Sequence, residues 1–213
     1  MTATVQTYDG LLTAIQQWAN RNDALFISNI PLFVSLTEQE IFWKLSTIGN
    51  EVYATGNFTA NNGTLPKPAL WGKTARLTYI DQDNNLQTLK RVSVSYIYQF
   101  NPDPTAPSTA NPRYYSDYGF PYILISPTPT IAFPFELAYF QKIPPLSIAM
   151  QTNWNTQNVY DALFFGCMQK ASTFINASDW AQYYAGLYEA ALAGYDSYDK
   201  ARLVDATTKA KVE

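Results

Sequence analysis

Histidine is absent from this 213-residue chain, and cysteine occurs only once. Without an imidazole, the sequence excludes catalytic triads built on histidine, histidine-ligated metal sites and an imidazole switch near neutral pH. The single thiol, Cys167, excludes an internal disulfide and a zinc knuckle. It lies in the apolar stretch LFFGCMQKA, which favours a small buried side chain over a reactive nucleophile.

Charged residues are also scarce. They make up 15% of the chain, against a usual ~25%, and the net charge is −3. Tight binding to DNA or to an anionic membrane is disfavoured, because both need clustered Lys and Arg. No apolar run approaches the ~18 residues of a membrane span, and the N-terminal MTATVQTYDG lacks the basic flank and apolar core of a signal peptide. We therefore expect a soluble protein without a membrane partner.

Aromatic residues are what the chain has in abundance, with 16 Tyr, 12 Phe and 5 Trp. Tyr and Trp are enriched at protein interfaces. A surface that is poor in charge and rich in Tyr favours a protein that covers much of itself with partners.

Two fragments resemble ligand-binding motifs, and both are incomplete. The stretch WGKT at 71–74 matches the end of a phosphate-binding loop, but Lys67 stands where the loop needs glycine. The acidic stretch 81–85 has the spacing that begins a calcium loop, but Leu86 replaces its glycine, and a hairpin turn is favoured. The sequence predicts no catalytic residue, no cofactor and no metal ligand, so we expect a protein that is not an enzyme.

Helical periodicity dominates the first 50 residues. Leu11, Ile15 and Trp18 recur at helical spacing, which predicts an amphipathic helix from Thr7, its N-cap, to about Arg21.

A second helix is predicted to begin at Pro31, which suits a first helical position. Thr37 and Glu40 form a possible capping box at which this helix restarts, and Gly49-Asn50 ends it.

The pattern changes to that of strands from about residue 51. The stretches 74–80 and 91–100 flank a turn, and the second alternates apolar and polar residues as a half-buried strand does. The stretches 122–126 and 131–140 are predicted to form another antiparallel pair. Pro134 indicates that the last strand lies at an edge or carries a bulge.

Residues 101–121 contain five prolines and are predicted to form a long functional or disordered loop. Within it, Tyr114, Tyr115, Tyr118 and Phe120 form an aromatic cluster. This cluster is a candidate contact with another subunit or with a tail component, and alternatively a stacking platform for a base or sugar.

Helical spacing returns near residue 156 and continues in a last helix from Ser178 to about Val204. The polar segment 199–213 is expected to be exposed or ordered by a partner. The fold class is α+β, an antiparallel bundle of about four main helices with an inserted antiparallel β-sheet or β-sandwich domain. The expected divisions are 1–50 (N-terminal helices), 51–141 (β domain), 142–198 (C-terminal helices) and 199–213 (tail).

An ordered set of short motifs resembles tailed-phage head-to-tail adaptor proteins (connector or tail tubular A-like). They are IPLF at 30–33, LAYFQKIPPLS at 137–147, TNW at 152–154, YDALFFGCMQKA at 160–171 and YEAAL at 188–192. The likeness covers both helical segments, about half of the chain, and skips the β region.

The resemblance implies a structural virion protein of the neck or tail, assembled in the host cytoplasm. Such adaptors form a ring of twelve copies that joins the portal to the tail or nozzle protein and surrounds part of the DNA channel, through which double-stranded DNA passes without sequence recognition. The polar C-terminal tail would then dock on the portal; the alternative is a frayed helix end without a function of its own. The candidate portal-docking residues are Lys200, Arg202, Leu203, Val204, Lys209 and Lys211.

The residues between the β region and the last helices also have a local interpretation. Two prolines remove two amide donors and so stop strand pairing, Leu146 and Trp154 fill the end of the bundle, and Gly166 permits close helix approach. The predicted structural junction comprises Ile143, Pro144, Pro145, Leu146, Trp154 and Gly166. An alternative function is a receptor- or carbohydrate-binding tail module, with the β domain carried on a helical stalk.

Overall fold

The computed structural model describes residues 6–45, 50–103 and 106–209, with side chains as far as Lys200. The described part of the chain is mixed α+β, as predicted. It divides into two compact units, a helical unit formed by residues 1–50 and 143–213 and a β unit formed by residues 51–142.

Six helices lie in the described residues. In chain order they are α1 (Tyr8–Ala19), α2 (Ala24–Lys44), α3 (Val94–Phe100), α4 (Trp154–Asn158), α5 (Tyr160–Phe174) and α6 (Ser178–Lys209).

The strands of the described residues all belong to the β unit. They are β1 (Glu51–Asn57), β2 (Thr64–Pro66), β3 (Trp71–Ile80), β4 (Leu86–Thr88), β5 (Lys90–Arg91), β6 (Pro107–Ser108), β7 (Tyr114–Tyr118), β8 (Tyr122–Ser126), β9 (Thr128–Pro129) and β10 (Pro134–Gln141).

The first helix confirms its prediction. The Thr7 side chain accepts a hydrogen bond from the Gly10 amide at 3.2 Å, which satisfies one of the free donors at the start of α1. Leu11 and Ile15 are completely buried in the core of the helical unit.

The second helix differs from its prediction. It begins at Ala24, where Asp23 accepts a hydrogen bond from the Phe26 amide, and it continues through Pro31 without a break. Thr37 is buried and donates its hydroxyl hydrogen bond to the Phe33 carbonyl, so it is not a cap. The helix ends at Lys44, and Gly49 lies outside the described residues.

Burial explains why α2 is continuous. Its inner face carries Phe26, Ile30, Phe33, Val34 and Ile41, all of which are buried in one core with residues of α1, α5 and α6. Each such side chain contributes about 1.5–3 kcal/mol, and the sum exceeds the ~3 kcal/mol cost of one internal proline.

The predicted strand at 91–100 is wrong. Its residues from Val94 form α3, and the Ser93 hydroxyl accepts a hydrogen bond from the Tyr96 amide as the N-cap. Ile97 is buried, whereas Tyr96 and Tyr98 are exposed. The alternation in the sequence therefore does not mark a buried strand face.

The strand pairing also differs from the prediction. One sheet has the order β1-β10-β3-β4 and is antiparallel throughout. The second has the order β2-β8-β7-β5, in which only the short β5–β7 pair is parallel. The predicted partners 122–126 and 131–140 therefore lie in different sheets.

Pro134 does not mark an edge strand, because β10 is paired on both sides. Pro134 is the first residue of β10, a position where a missing amide donor is tolerated. Register shifts do occur in β10, but they lie at Ala138/Tyr139 and Phe140/Gln141.

The stretch 101–121 is not a loop throughout, because it contains β6 and β7. The two four-stranded sheets share a core, to which Leu77 and Leu137 contribute from the first sheet and Ile123 and Ile125 from the second. This core lies within the β unit and is separate from the core of the helical unit.

Candidate assembly surfaces

The junction segment is attached to α2 by a buried carboxylate. Glu38 is only 7% exposed. Its Oε1 accepts a hydrogen bond from Asn153 Nδ2 at 2.6 Å, and its Oε2 accepts one from the Leu146 amide at 3.1 Å. Asn153 also donates to the Pro144 carbonyl at 2.9 Å. Glu38 thus connects the chain on both sides of residue 150 to one turn of α2.

Asn153 also starts α4. It forms a capping box with Thr156, in which each side chain accepts a hydrogen bond from the other residue's backbone amide. Burial raises the pKa of the Glu38 carboxyl, while the hydrogen bonds from Asn153 and the Leu146 amide partly offset that rise. The charged and polar groups here hold the fold together and face away from solvent.

The other predicted junction residues lie along the same segment. Leu146 is buried in the helical core, and Trp154 is partly buried against it. Ile143 and Pro144 are partly buried, and Pro145 is exposed. Trp154 therefore packs against the core without being enclosed by it.

Gly166 lies where α5 crosses α2 and α6. A Cβ atom at this position would lie 2.5 Å from Thr37 Cγ2 and 3.1 Å from the Tyr188 ring. The neighbouring Cys167 is completely buried, and burial raises the pKa of its thiol to about 12. A thiol with this pKa is not a nucleophile at neutral pH.

The β unit carries an open cleft of about 450 Å³. Lys67 Nζ lies there 3.8 Å above the Trp71 ring and 3.3 Å from Asp117 Oδ1, and it donates to the Gly119 carbonyl at 3.1 Å. The incomplete phosphate-loop motif WGKT lies in β3. Lys67 is already paired with a carboxylate, so the cleft is not a preformed anion site.

The four residues of the predicted aromatic cluster occupy different environments. Tyr115 belongs to the buried core of the β unit, so its side chain is not a surface contact. Tyr114 packs edge-on against Tyr96 and Phe100 of α3. Tyr118 is exposed, and Phe120 is 88% exposed beside the cleft. They do not form one stacking platform.

The candidate portal-docking residues begin near the end of α6. Asp199 is buried, and Lys200 pairs with Asp196 one turn earlier. The backbone of α6 is helical through Lys209, beyond the end expected near Val204, and Lys211 lies outside the described residues. The first part of the predicted tail is thus a continuation of the helix.

Two apolar surfaces of the helical unit were not singled out from the sequence. The first, the α2 ridge, consists of the exposed residues Leu25, Leu32, Leu36 and Trp43. Their 7-4-7 spacing is visible in the sequence and could have identified them. The prediction that α2 begins at Pro31 leaves Leu25 outside the helix, so the full spacing is not apparent.

The second surface, the aromatic groove, lies between α1, α5 and α6 and has a volume of about 380 Å³. Its lining includes Trp18, Met168, Ile175, Trp180, Tyr183 and Tyr184. These residues are far apart in the chain, so no local pattern indicates the groove.

Within the described residues, no group of three or more acidic or cysteine side chains could hold a metal ion. The helices of those residues also include none that is long and apolar enough to cross a membrane. What the surface does offer is exposed apolar area, which is typical of proteins that assemble with others.

Comparison with known families identifies the class. The sequence model of the SU10 adaptor protein family matches residues 6–209. The chain belongs to this family, a family of phage structural adaptor proteins, and the resemblance to head-to-tail adaptors is confirmed. It is accordingly a virion component that associates with other parts of the phage head or tail. No curated protein matches the chain.

Proposed function

We propose that this chain forms the head-to-tail adaptor ring that joins the portal to the phage tail and surrounds part of the DNA channel. The family match over residues 6–209 is the observation that carries the proposal. The helical unit, arranged as an antiparallel bundle, forms the body of the ring, and twelve copies are expected. The exposed apolar surfaces of that unit supply the contacts that such an assembly needs.

The composition is compatible with a channel for DNA. The net charge is −3 and no basic run occurs, so the protein attracts the phosphate backbone only weakly. Double-stranded DNA can then move past the ring without being held by it. In this role the ring surrounds the DNA without binding it tightly and needs no cofactor.

Docking on the portal is assigned to the end of α6 and the residues after it. Lys200, Arg202, Lys209 and Lys211 alternate with acidic and small polar residues there. Such segments carry few apolar residues for the protein's own core and gain order on a partner.

The test combines the purified protein with purified portal. We expect light scattering and negative-stain microscopy to show a ring stacked on the portal. A variant that ends at Lys200 should lose only the helical signal of residues 201–209, keep a cooperative unfolding transition, and lose portal binding. Failure of the full chain to bind portal would overturn the adaptor role, and undiminished binding by the variant would exclude the tail as the docking element.

A second candidate is a glycan-binding tail module, and the β-unit cleft is the observation that favours it. Trp71, Phe120 and Tyr122 surround the cleft, and aromatic faces pack against sugars. Binding of host-surface glycans that Trp71→Ala abolishes would support this function. Glycan binding that is absent, or unchanged in Trp71→Ala, would exclude the cleft.

A further inference from the structure

The α2 ridge is a row of exposed apolar side chains along one face of α2. Leu25, Leu32, Leu36 and Trp43 are 67%, 53%, 43% and 67% exposed. At about 100° per residue, their spacing places all four within an arc of roughly 40°. The buried face of α2, centred on Ile30 and Ile41, lies roughly 140° away around the helix. The helix is therefore apolar on two sides, although only one side contacts its own core.

The ridge carries almost no charge. Between Ala24 and Trp43, the charged residues are Glu38 and Glu40. Glu38 is buried, and Glu40 is paired with Lys44 and Lys170 at 2.9 and 2.7 Å. A partner cannot be recognised here by charge. Depletion of charge with retained Leu and Trp is the composition of the centre of a protein interface.

The aromatic groove has the complementary shape and the same chemistry. It is concave, its lining residues are all uncharged, and Trp18, Trp180 and Tyr183 are each more than half exposed. Trp180 and Tyr183 lie edge to face at the start of α6, one turn apart. A helix that presents Leu and Trp side chains fits such a groove.

We propose that the α2 ridge of one subunit packs into the aromatic groove of a second copy of this chain. The proposal rests on the ring of the proposed function and assigns its subunit contact. A ring requires a heterologous contact, in which one patch of a subunit meets a different patch of its neighbour. Every subunit must therefore carry both patches. The ridge and the groove are two such patches on one unit, whereas ridge against ridge would close as a dimer.

The size of the ridge is adequate for this role. From their exposed fractions, its four side chains present on the order of 400 Å² of apolar area. A standard interface buries about 800 Å² on each partner, of which roughly 55–65% is non-polar. The ridge thus supplies a core of the usual size, and polar neighbours supply the rim.

Complementation between two defective copies tests the proposal. Leu36→Glu damages only the ridge, and Tyr183→Glu damages only the groove. Each variant alone should be monomeric, and their mixture should form a dimer and nothing larger, because one intact ridge and one intact groove remain. Leu86→Glu, on the β unit, changes a side chain that is 69% exposed and serves as the matched control. It should assemble like the unchanged chain.

Cysteine crosslinking provides a readout that does not need a complete ring. The natural thiol, Cys167, is buried, so only the introduced cysteines are accessible for disulfide formation. Leu36→Cys mixed with Tyr183→Cys should give a disulfide-linked dimer on oxidation, whereas Leu36→Cys alone should not. The circular dichroism spectrum of every variant should match that of the parent, because the altered side chains are exposed.

The outcomes separate this contact from the proposed function. If either Glu variant still forms a ring on the portal and the paired cysteine variants give no crosslink, the ridge–groove contact is overturned and the adaptor role stays intact. A crosslinked dimer from a chain that makes no ring supports the contact and overturns the ring. A groove variant that assembles normally while the ridge variant does not overturns the groove as the partner.

Discussion

At the scale of single residues, Glu38 links the stability of the helical unit to pH. Burial raises the pKa of its carboxyl above the ordinary value of 4.5, and hydrogen bonds from Asn153 and the Leu146 amide offset only part of that rise. The folded protein therefore holds this proton more tightly than the unfolded chain does. The resulting stability is fully present below pH 4.5 and is lost as the pH rises through the folded pKa.

Comparison of the wild type with Glu38→Gln measures this link, because other carboxyl groups cancel in the difference. We expect the free energy of unfolding of the wild type, relative to Glu38→Gln, to fall between pH 4.5 and pH 7.5. Urea unfolding at both values is the measurement. A relative stability that rises over this range would mean that the hydrogen bonds to the carboxylate outweigh its burial.

Truncation of Glu38 has a different effect from its neutralisation. Glu38→Ala leaves the Leu146 amide and Asn153 Nδ2 without this acceptor, at about 1–3 kcal/mol for each buried donor. We expect the loss at both pH values, measured by the same urea titrations. An ordinary surface substitution changes the free energy of unfolding by ~0.5 kcal/mol or less. A loss no larger than that would show that the hydrogen bonds of Glu38 do not hold the junction.

The Gly166 position should reject even one methyl group. A Cβ there meets Thr37 at 2.5 Å and the Tyr188 ring at 3.1 Å, so Gly166→Ala should cost about 1–3 kcal/mol by overpacking. Gly186→Ala on α6 is the control. A Cβ at that position meets no atom within 4 Å, and the helix should gain up to ~1 kcal/mol. Thermal unfolding of both variants gives the comparison, and equal melting temperatures would contradict the close crossing.

Sequence reasoning could propose Gly166 and Leu146 but could not find the hydrogen-bond partners of Glu38. Glycine in an apolar helical stripe has a local meaning. The partner of Glu38 on the junction, Asn153, lies 115 positions away in the chain, and only folding brings the two together. The same holds for Cys167, whose buried state was predicted but whose contact with Thr37 was not.

At the scale of elements, Pro31 shows how burial overrides a local signal. Proline is typical of a first helical position, which is why the second helix was predicted to start there. In α2 it lies inside the helix, where the Ile27 carbonyl loses its usual amide donor. The apolar side chains on both sides of Pro31 hold the helix together across that missing bond.

Replacement of Pro31 distinguishes the two interpretations. In a continuous helix, Pro31→Ala restores one backbone hydrogen bond and so recovers part of the ~3 kcal/mol that an internal proline costs. The substitution also gives the unfolded chain more conformational freedom, which lowers the stability by about 0.4–1 kcal/mol. We expect a net gain of about 1–2 kcal/mol by urea unfolding. Pro145→Ala, in an exposed non-helical segment, should lose a few tenths to ~1 kcal/mol. No gain in Pro31→Ala would indicate that the helix begins at residue 31.

The errors in the β region have a related cause. Ser93 is a strong helix cap, but the alternation that follows it also suits a strand, and periodicity over seven residues does not decide between them. Pairing is a tertiary property, so β8 and β10 could be recognised as strands although their partners could not. Fold class and the existence of the longer helices, though not the start of α2, were predictable because their patterns repeat over several turns.

At the scale of the whole molecule, the β unit is an insertion whose two ends meet. Its first strand, β1, pairs along its length with its last strand, β10, and Glu51 lies opposite Phe140. The unit has a core of its own, which includes Phe58, Leu77 and Ile123. An insertion with adjacent ends and a separate core has what independent folding requires.

Excision of the β unit should therefore leave two folded products. Residues 51–142 expressed alone should unfold cooperatively, with the far-ultraviolet spectrum of a sheet, because β1 and β10 already fix its ends together. The remaining chain, with residues 50 and 143 joined by a short Gly-Ser linker, should keep the helical spectrum and its own transition, since Glu38, Asn153 and Gly166 all belong to that unit. Calorimetry of the three proteins is the measurement, and the intact chain should show both transitions. If either fragment lacks a cooperative transition, that unit depends on the other in order to fold, and the two cores are not independent.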